Sequence, residues 1–435
     1  MSDISIHRGK NRLSMGQLQE YLTALFGVEN VGVLLGAGAS LSAGGRTMRD
    51  TWDDLVQNQS DTVGWLAERG LISTIDTIPN LEDMLSRMAL QAAAERMAGG
   101  RTSDSQFEKH FDVIYKALIR SSILCERWWD EPETILASSI AEGVAGDPRG
   151  DIKAHRTLLR HLIGSRRPGQ AAPWVFTTNY DLAIEWAAET IGAHVVNGFS
   201  GLHQRRFDSS NFDLAFRNTL VRGEGALGTY NVYLAKLHGS LTWLNGGSID
   251  KIREVPANAH TNPLKRPSPR ELLMILPGAA KYLDTVGFVY GELMRRLADF
   301  LGRRQTCLVI NGYSFGDQHI NRVLATALHN PTLHIIVYLY GPLENQAEWS
   351  PFLRELWDQE LSQVTFVVGQ PVTFQWLVGN LPQRTIQDLD EERMLTAIRL
   401  LMDKAAPIIE PLDGQDEETT GTDAARNPHG QEVRP

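Results

Sequence analysis

The sequence of 435 residues has few cysteines, no long apolar run and no excess of basic residues. The two cysteines, Cys125 and Cys307, are too few for a disulfide framework or a four-thiolate zinc site, so we expect a reducing cytoplasm and no bound metal. No run of about 18 apolar residues occurs and no apolar signal core follows the first basic residues, so no contact with a membrane is expected. The net charge of -10 makes direct nucleic-acid binding an unfavoured hypothesis.

The length and composition are typical of a globular protein. The hydrophobic fraction of 42% and the charged fraction of 22% exclude disorder over the whole chain and exclude fibrous classes. The chain is long enough for two or three ordinary domains, or for one large α/β domain with an insertion.

Apolar runs that alternate with helical patterns predict an α/β fold with a Rossmann-like, doubly wound parallel sheet. The predicted strands are Val31–Leu35, Trp174–Thr178, Tyr230–Leu237, Leu272–Leu276, Thr306–Ile310, Leu333–Tyr340 and Val364–Val368. The predicted helices between them include Asp181–Ile191, Gly287–Leu301 and Gln318–Leu328, and a short helix, Met15–Phe26, precedes the first strand.

Changes of pattern along the chain predict its domain organisation. We expect an N-terminal segment with a short helix (1–30), a Rossmann-like domain in two pieces (31–51 and 170–380), a helical insertion (52–169), a C-terminal helix (381–410) and a disordered tail (411–435). The tail contains six acidic residues and two basic ones, which is typical of a solvated segment. The Pro- and Asn-rich stretch 246–270 predicts a loop.

Four short motifs follow predicted strands, and in an open parallel sheet such loops gather at one edge, where ligands bind. The motifs are Gly36-Ala37-Gly38-Ala39-Ser40, Thr177-Thr178-Asn179-Tyr180-Asp181, Lys236-Leu237-His238-Gly239-Ser240 and Gly312-Tyr313-Ser314-Phe315-Gly316-Asp317. Glycines beside a helix N-terminus suit a phosphate group, so together the loops match a dinucleotide.

Each motif alone has an ordinary structural explanation. A Gly-rich turn packs tightly, Asn179 suits a turn, Asp181 and Asp317 suit helix N-caps, and His238 suits a buried structural position. Their joint order at strand ends is what favours a binding site.

These residues resemble the sirtuin family. GAGAS, the following LS and AGGRTMR match the length of the sirtuin Gly-Ala-Gly loop and place Arg49 on the sirtuin arginine, although residues 43 and 45–48 differ from the sirtuin pattern. TTNYD stands at the sirtuin Gln-Asn-x-Asp, LHGS at the catalytic His-Gly, and GYSFGD at the Gly-x-Ser nucleotide loop. The zinc module of true sirtuins is missing.

Longer blocks are similar to the sirtuin-like subunit of bacterial sirtuin/HerA anti-phage defence systems. They are FTTNYDLAIEWAAE, VNGFSGLHQRRFD, NFDLAFRN, LAKLHGSLTW, PGAAKY with TVGFVYGE, and INGYSFGDQHINR, within residues 28–370. The resemblance implies an NAD+ hydrolase that depletes NAD+ during infection, with NAD+ as substrate. It also implies assembly into a homo-oligomer larger than a dimer and a complex with a HerA-type ATPase.

The resemblance implies a role for each matched residue. Asn179 would hold the nicotinamide ribose and the attacking water, and His238 would act as general base. Gly36, Gly38 and Ser40 would cradle the pyrophosphate, Arg49 would meet a phosphate, and Ser314 and Asp317 would reach the adenosine side, with Asp317 accepting ribose hydroxyls. The further predicted cofactor-binding residues are Ala37, Thr178, Asp181, Gly312 and Phe315. His203 is an alternative lid residue or an exposed loop histidine.

Two other functions stay open at this point. One is a protein deacylase or ADP-ribosyltransferase, which the missing zinc module disfavours because it helps to form the acyl-lysine groove. The other is a non-catalytic sensor of NAD+ or ADP-ribose, which the presence of both Asn179 and His238 disfavours.

Overall fold

The computed structural model describes residues 4–72, 79, 81, 84–85, 87–88, 91, 104–122, 124, 151–166, 170–215, 231–244, 252–256, 272–274 and 286–382. They lie in one compact unit, Met1–Asp388. The predicted tail (411–435), nearly all of the predicted C-terminal helix (381–410) and Cys125 lie outside the described residues. Within the described ranges, no helix combines the length and apolar character needed to cross a bilayer.

The described strands and helices confirm most of the predicted elements. The strands are β1 Ser5–Arg8, β2 Asn11–Arg12, β3 Asn30–Leu35, β4 Trp174–Thr177, β5 His194–Val196, β6 Phe199–Ser200, β7 Arg205–Phe207, β8 Asn231–Lys236, β9 Gly239–Leu244, β10 Arg253–Glu254, β11 Leu272–Met274, β12 Thr306–Asn311, β13 Leu333–Tyr340 and β14 Val364–Gly369. The helices are α1 Met15–Leu25, α2 Met48–Asn58, α3 Ser60–Glu68, α4 Asp104–Ser121, α5 Lys153–Gly164, α6 Ala183–Thr190, α7 Val286–Gly302, α8 Gln318–Ala327, α9 Pro351–Asp358 and α10 Phe374–Gly379.

The central sheet is mostly parallel, as predicted. Its strand order is β2-β1-β14-β13-β12-β3-β4-β8-β5, and the run from β14 to β5 is parallel throughout. The chain runs from β3 outward to β4 and β8, then returns to β12 on the other side of β3. The order therefore reverses between β3 and β12, which is where ligands bind in open α/β sheets.

Helices cover both faces of this sheet, so the fold is doubly wound. Successive strand residues enter different apolar clusters: Val33 and Val309 pack with α1, α5, α6 and α10, whereas Leu34 and Ile310 pack with α7, α8 and α9. Burial on both faces explains the continuous apolar runs of these strands. A third cluster joins α2, α3 and α4 to Tyr180 and to Leu241 and Leu244 of β9.

A second sheet, which the sequence analysis did not predict, has the order β11-β9-β10-β7-β6 and is antiparallel. The interpretation of Leu272–Leu276 as part of the parallel sheet is wrong, because Leu272 pairs antiparallel with Leu244 of β9. A parallel strand needs a long crossover, usually a helix, and stretch 246–270 has no helical periodicity to supply one.

Candidate functional site

The four motif loops begin side by side at one edge of the central sheet. Leu35, the last residue of β3, is in register with Asn311 of β12 and with Thr177 of β4, and Thr177 is in register with Lys236 of β8. Because these four strands are parallel and end at the same level, the residues after them start at the same edge. The predicted convergence of the loops is therefore present in the fold.

Asn179 is held with a fixed amide orientation in the loop after β4. Its side-chain nitrogen donates to the Gly36 carbonyl at 2.9 Å and to the Ser40 hydroxyl at 2.9 Å. A carbonyl can only accept a hydrogen bond, so the Gly36 contact fixes which end of the amide is the nitrogen. Both N–H bonds of the amide are therefore used by the protein, and Oδ1 is the atom with which Asn179 can accept a hydrogen bond from a substrate or water.

Ser40 and Asp181 support that orientation. The Ser40 hydroxyl donates to Asp181 Oδ2 at 2.6 Å, so the Ser40 oxygen is left to accept from Asn179. Asp181 Oδ1 accepts from the backbone nitrogen of Ala183 at the start of α6, at 3.0 Å. Ser40 and Asp181 are buried, and the predicted catalytic residue Asn179 thus forms one hydrogen-bonded chain with the predicted cofactor-binding residues Ser40 and Asp181.

His238 lies between β8 and β9 and contacts the loop after β12. Its Nε2 lies 2.9 Å from Asp317 Oδ2, and only 7% of the histidine is exposed. Burial raises the pKa of the Asp317 carboxyl, but the hydrogen bond and charge of His238 and two backbone N–H groups outweigh it and hold that pKa at about 2. Asp317 is therefore an anion at neutral pH.

A buried ion pair lies beneath the loop that carries Asn179. The Lys236 ammonium, on a residue 1% exposed, lies 2.8 Å from Glu185 Oε1 and also donates to the Tyr180 and Asp181 carbonyls. Burial raises the pKa of the Glu185 carboxyl, and Lys236 opposes that rise. One cation thus ties β8, α6 and the Asn179 loop together.

The glycines of two motifs let their loops pack against each other. A Cβ on Gly36 would lie 2.4 Å from the Gly312 carbonyl oxygen, and a Cβ on Gly312 would lie 2.4 Å from the Ala39 nitrogen. Gly312 also has φ +68, a conformation that L residues rarely adopt. The backbone nitrogen of Gly38 donates to Gly312 O, and those of Ala39 and Ser40 donate within their own loop. These contacts match the tight-packing interpretation of GAGAS, and pyrophosphate binding by this loop stays a prediction.

We expect Gly312→Ala to destabilise the protein by about 2–3 kcal/mol, because it adds both a backbone clash and left-handed strain. The midpoint of chemical unfolding measures this change. Gly316→Ala is the matched control, since its Cβ would meet only the Ser314 hydroxyl, at 3.5 Å. Equal stability of the two variants would contradict the packing argument.

The other predicted site residues lie outside the hydrogen-bonded chain of Ser40, Asn179 and Asp181 and outside the His238–Asp317 pair. Thr178 donates its backbone nitrogen to Leu35 O and is half-buried. Ala37, Arg49 on the first turn of α2, and Ser314 are exposed, whereas the Phe315 side chain is buried in the core beneath α8 and α9. Any contact of Phe315 with a ligand would therefore use its backbone. His203 is exposed in the turn between β6 and β7.

Sequence reasoning missed two kinds of residue. Lys236 and Glu185 were not predicted to matter, although a lysine that ends an otherwise apolar strand is a visible signal of a buried charge. The contact of Asp317 with His238 had no signal, because the two residues are 79 positions apart. Among the described residues, no group of three or more His, Cys, Asp or Glu side chains could hold a metal ion.

Comparison with known proteins finds a family match within this region. A family model described as a SIR2-like domain matches residues 173–360, which include the loops after β4, β8 and β12. The chain is also similar to a Sir2 homologue–NAD complex, with a TM-score of 0.36 and 16% identity over 79% of this chain and 91% of that one. A mutant Sir2 homologue in complex with 2'-O-acetyl ADP-ribose gives a TM-score of 0.36 and 14% identity over 78% of this chain and 94% of that one. A search of curated proteins found no match.

Proposed function

We propose that this protein is an NAD+ glycohydrolase, which cleaves NAD+ into nicotinamide and ADP-ribose. The observation that carries the proposal is the pair Asn179 and His238 at the ends of adjacent strands. Each is fixed by its own contacts, Asn179 by Gly36 and Ser40, and His238 by Asp317. The match of residues 173–360 to a SIR2-like domain supports the same substrate class.

The reaction needs two groups: a hydrogen-bond acceptor that holds a ribose hydroxyl or the attacking water, and a base that removes a proton from that water. When the bond between nicotinamide nitrogen and ribose C1' breaks, its electron pair leaves with neutral nicotinamide and C1' develops oxocarbenium character. In the proposed mechanism, Asn179 Oδ1 accepts a hydrogen bond from the attacking water or a ribose hydroxyl. His238 takes the proton that the water loses as its oxygen bonds to C1'.

The cysteine content favours hydrolysis over deacylation. Cys307 is fully buried within β12, which leaves no pair of accessible thiols for the zinc module that true sirtuins use beside the acyl-lysine groove. Water is then the acceptor of ADP-ribose, and no peptide is needed.

The direct test incubates the purified chain with NAD+ and quantifies nicotinamide and ADP-ribose by chromatography. We expect both products in equal amounts without any peptide, and formation slowed by about 10²-fold or more with His238→Ala at matched enzyme concentration. Cleavage that requires an acetylated peptide would support the deacylase instead. Binding of NAD+ without cleavage would support the sensor.

The biological setting that we propose is anti-phage defence by NAD+ depletion in the cytoplasm. The blocks within residues 28–370 that resemble the sirtuin-like subunit of sirtuin/HerA systems support this setting, a HerA-type ATPase partner and a homo-oligomer larger than a dimer. An enzyme that destroys a central cofactor has to be held inactive until infection. Control by a partner therefore fits the proposed activity.

Assembly is tested by light scattering and by NAD+ turnover with and without a HerA-type ATPase. We expect a mass above that of a dimer and a change of turnover when the ATPase is added. A monomer with unchanged turnover would contradict the defence-complex proposal while leaving the hydrolase proposal intact.

A further inference from the structure

The carboxylate of Asp317 is immobilised on the side away from His238. Its Oδ1 accepts from the backbone nitrogens of His319 at 2.8 Å and Ile320 at 3.0 Å, as the N-cap of α8. The Asp317 backbone carbonyl accepts from the Tyr313 hydroxyl at 3.2 Å. Helix N-terminal N–H groups favour a negative charge, so the carboxylate is both fixed and stabilised as an anion.

The second oxygen of this carboxylate faces the imidazole. With Oδ2 an acceptor only, the ring nitrogen at 2.9 Å has to be the donor, so the neutral ring carries its proton on Nε2 and Nδ1 is the basic nitrogen. Two aromatic residues among those that the structure describes lie beside the pair: Tyr180, whose ring centroid lies 6.4 Å from that of His238, and Tyr313, whose hydroxyl pKa is raised first by burial and then by the charge of Asp317. The Tyr313 hydroxyl therefore carries no charge at neutral pH.

We propose that Asp317 is a positioning residue for His238. It selects the tautomer in which Nδ1 can take a proton, and it stabilises the imidazolium that forms when Nδ1 does so. The proposal rests on the proposed NAD+ hydrolysis for its kinetic consequences, but the tautomer itself is a property of the resting protein. Carboxylates orient catalytic histidines in this way in unrelated hydrolases.

This role differs from the ribose-binding role that the sequence analysis predicts for Asp317. Both carboxylate oxygens already have partners within the protein. A ribose hydroxyl would have to compete with His238 or with the first turn of α8. The two roles therefore have different kinetic signatures, since ribose binding affects KM and positioning of the base affects kcat.

The testing variant is Asp317→Asn, because asparagine is an equally good N-cap and preserves the shape of the side chain. Its Oδ1 still accepts from α8, but its amide nitrogen now donates toward Nε2. The ring then has to accept at Nε2 and carry its proton on Nδ1, which removes the base. Asp208→Asn is the matched control, since Asp208 caps the 3-10 helix Ser209–Asp213 through the Ser210 nitrogen at 2.9 Å on an exposed surface.

We expect Asp317→Asn to lower kcat for NAD+ by about 10²- to 10⁴-fold with KM within about threefold. The acid limb of the pH–rate profile moves to lower pH, because the imidazolium loses its neighbouring anion. Asp208→Asn keeps wild-type kinetics. An unchanged kcat with KM raised about tenfold or more would overturn the proposal in favour of ribose binding.

Nitrogen-15 NMR of histidine-labelled protein tests the tautomer without any turnover. The His238 signals are assigned by their loss in His238→Ala. We expect Nε2–H in the wild type, a switch to Nδ1–H in Asp317→Asn, and no change in Asp208→Asn. The same tautomer in wild type and Asp317→Asn would overturn the positioning role. Absence of NAD+ cleavage by the wild type with the tautomer switch intact would overturn only the proposed function.

Discussion

Asn179→Ala and His238→Ala each lower NAD+ cleavage by about 10²-fold or more, the usual contribution of a positioned acceptor or base, while the fold stays intact. Asn179→Ala removes Oδ1, which the contacts to Gly36 and Ser40 hold in one orientation. His238→Ala removes the base. Single-turnover and steady-state rates of nicotinamide release measure both effects.

Matched controls are available away from the site. Asn211→Ala removes an amide that donates to the Gly198 carbonyl at 3.1 Å, the same kind of contact that Asn179 makes with Gly36. His334→Ala removes a half-buried histidine that contacts the Tyr21 hydroxyl at 2.8 Å. Both controls should keep wild-type turnover, and near wild-type turnover of the two site variants would refute the assignment of the site.

The double variant Asn179→Ala/His238→Ala shows whether the two residues act in the same step. Residues that serve one transition state are strongly non-additive, so we expect the double variant to be about as slow as the slower single variant. Multiplicative losses, about 10⁴-fold together, would indicate that Asn179 acts mainly in binding and His238 in chemistry.

The central sheet was predictable from the sequence because its strands are buried on both faces. Runs such as Val31–Leu35 and Thr306–Ile310 are apolar at nearly every position, which is typical of parallel strands covered by helices. The capping signals of α1 were also local: Ser14 and Gln17 form a capping box with distances of 3.3 and 2.8 Å.

The second sheet and the N-terminal hairpin could not be predicted in the same way. Strands β6 and β10 have two residues each, too few to establish a period. All four residues of β1 pair with β14, starting with Ser5 opposite Val368, whereas only His7 and Arg8 pair with the two-residue strand β2, so most of the pairing of β1 comes from a strand more than 350 residues away. Such long-range pairing has no local signal.

In the candidate site, the motifs predicted which residues gather but not how they contact each other. Each of the two aspartates serves both as a helix-terminal acceptor and as a member of the site. Asp181 accepts from the start of α6 with one oxygen and from Ser40 with the other. Asp317 caps α8 with one oxygen and contacts His238 with the other. A carboxylate with two oxygens can do both at once. The sequence reveals the cap because it is local, whereas the second contact depends on the fold.

Lys236→Met is the substitution with the largest expected effect on stability, about 3–5 kcal/mol in the free energy of unfolding. It leaves Glu185 buried without its cation and takes the hydrogen-bond donor from the Tyr180 and Asp181 carbonyls. Chemical denaturation at pH 7 measures the loss. Lys153→Met is the matched control: Lys153 is 79% exposed and lies 4.0 Å from Asp151, so its loss should change stability by less than about 1 kcal/mol.

The Lys236→Met defect should also depend on pH. Without Lys236, the charge and the hydrogen bond that most oppose the burial-induced rise in the pKa of Glu185 are lost, so the folded variant favours the neutral carboxyl. Protonation then favours the folded state below the unfolded pKa of about 4.3, and this contribution is lost as the pH rises through the raised folded pKa. The variant should therefore unfold at lower denaturant concentration at pH 8 than at pH 5, relative to wild type.

Adding Glu185→Leu to Lys236→Met should restore most of the stability and remove this pH dependence, because it replaces the buried carboxyl with an apolar side chain. Failure of Glu185→Leu to recover either property would contradict an ion-pair origin for the defect.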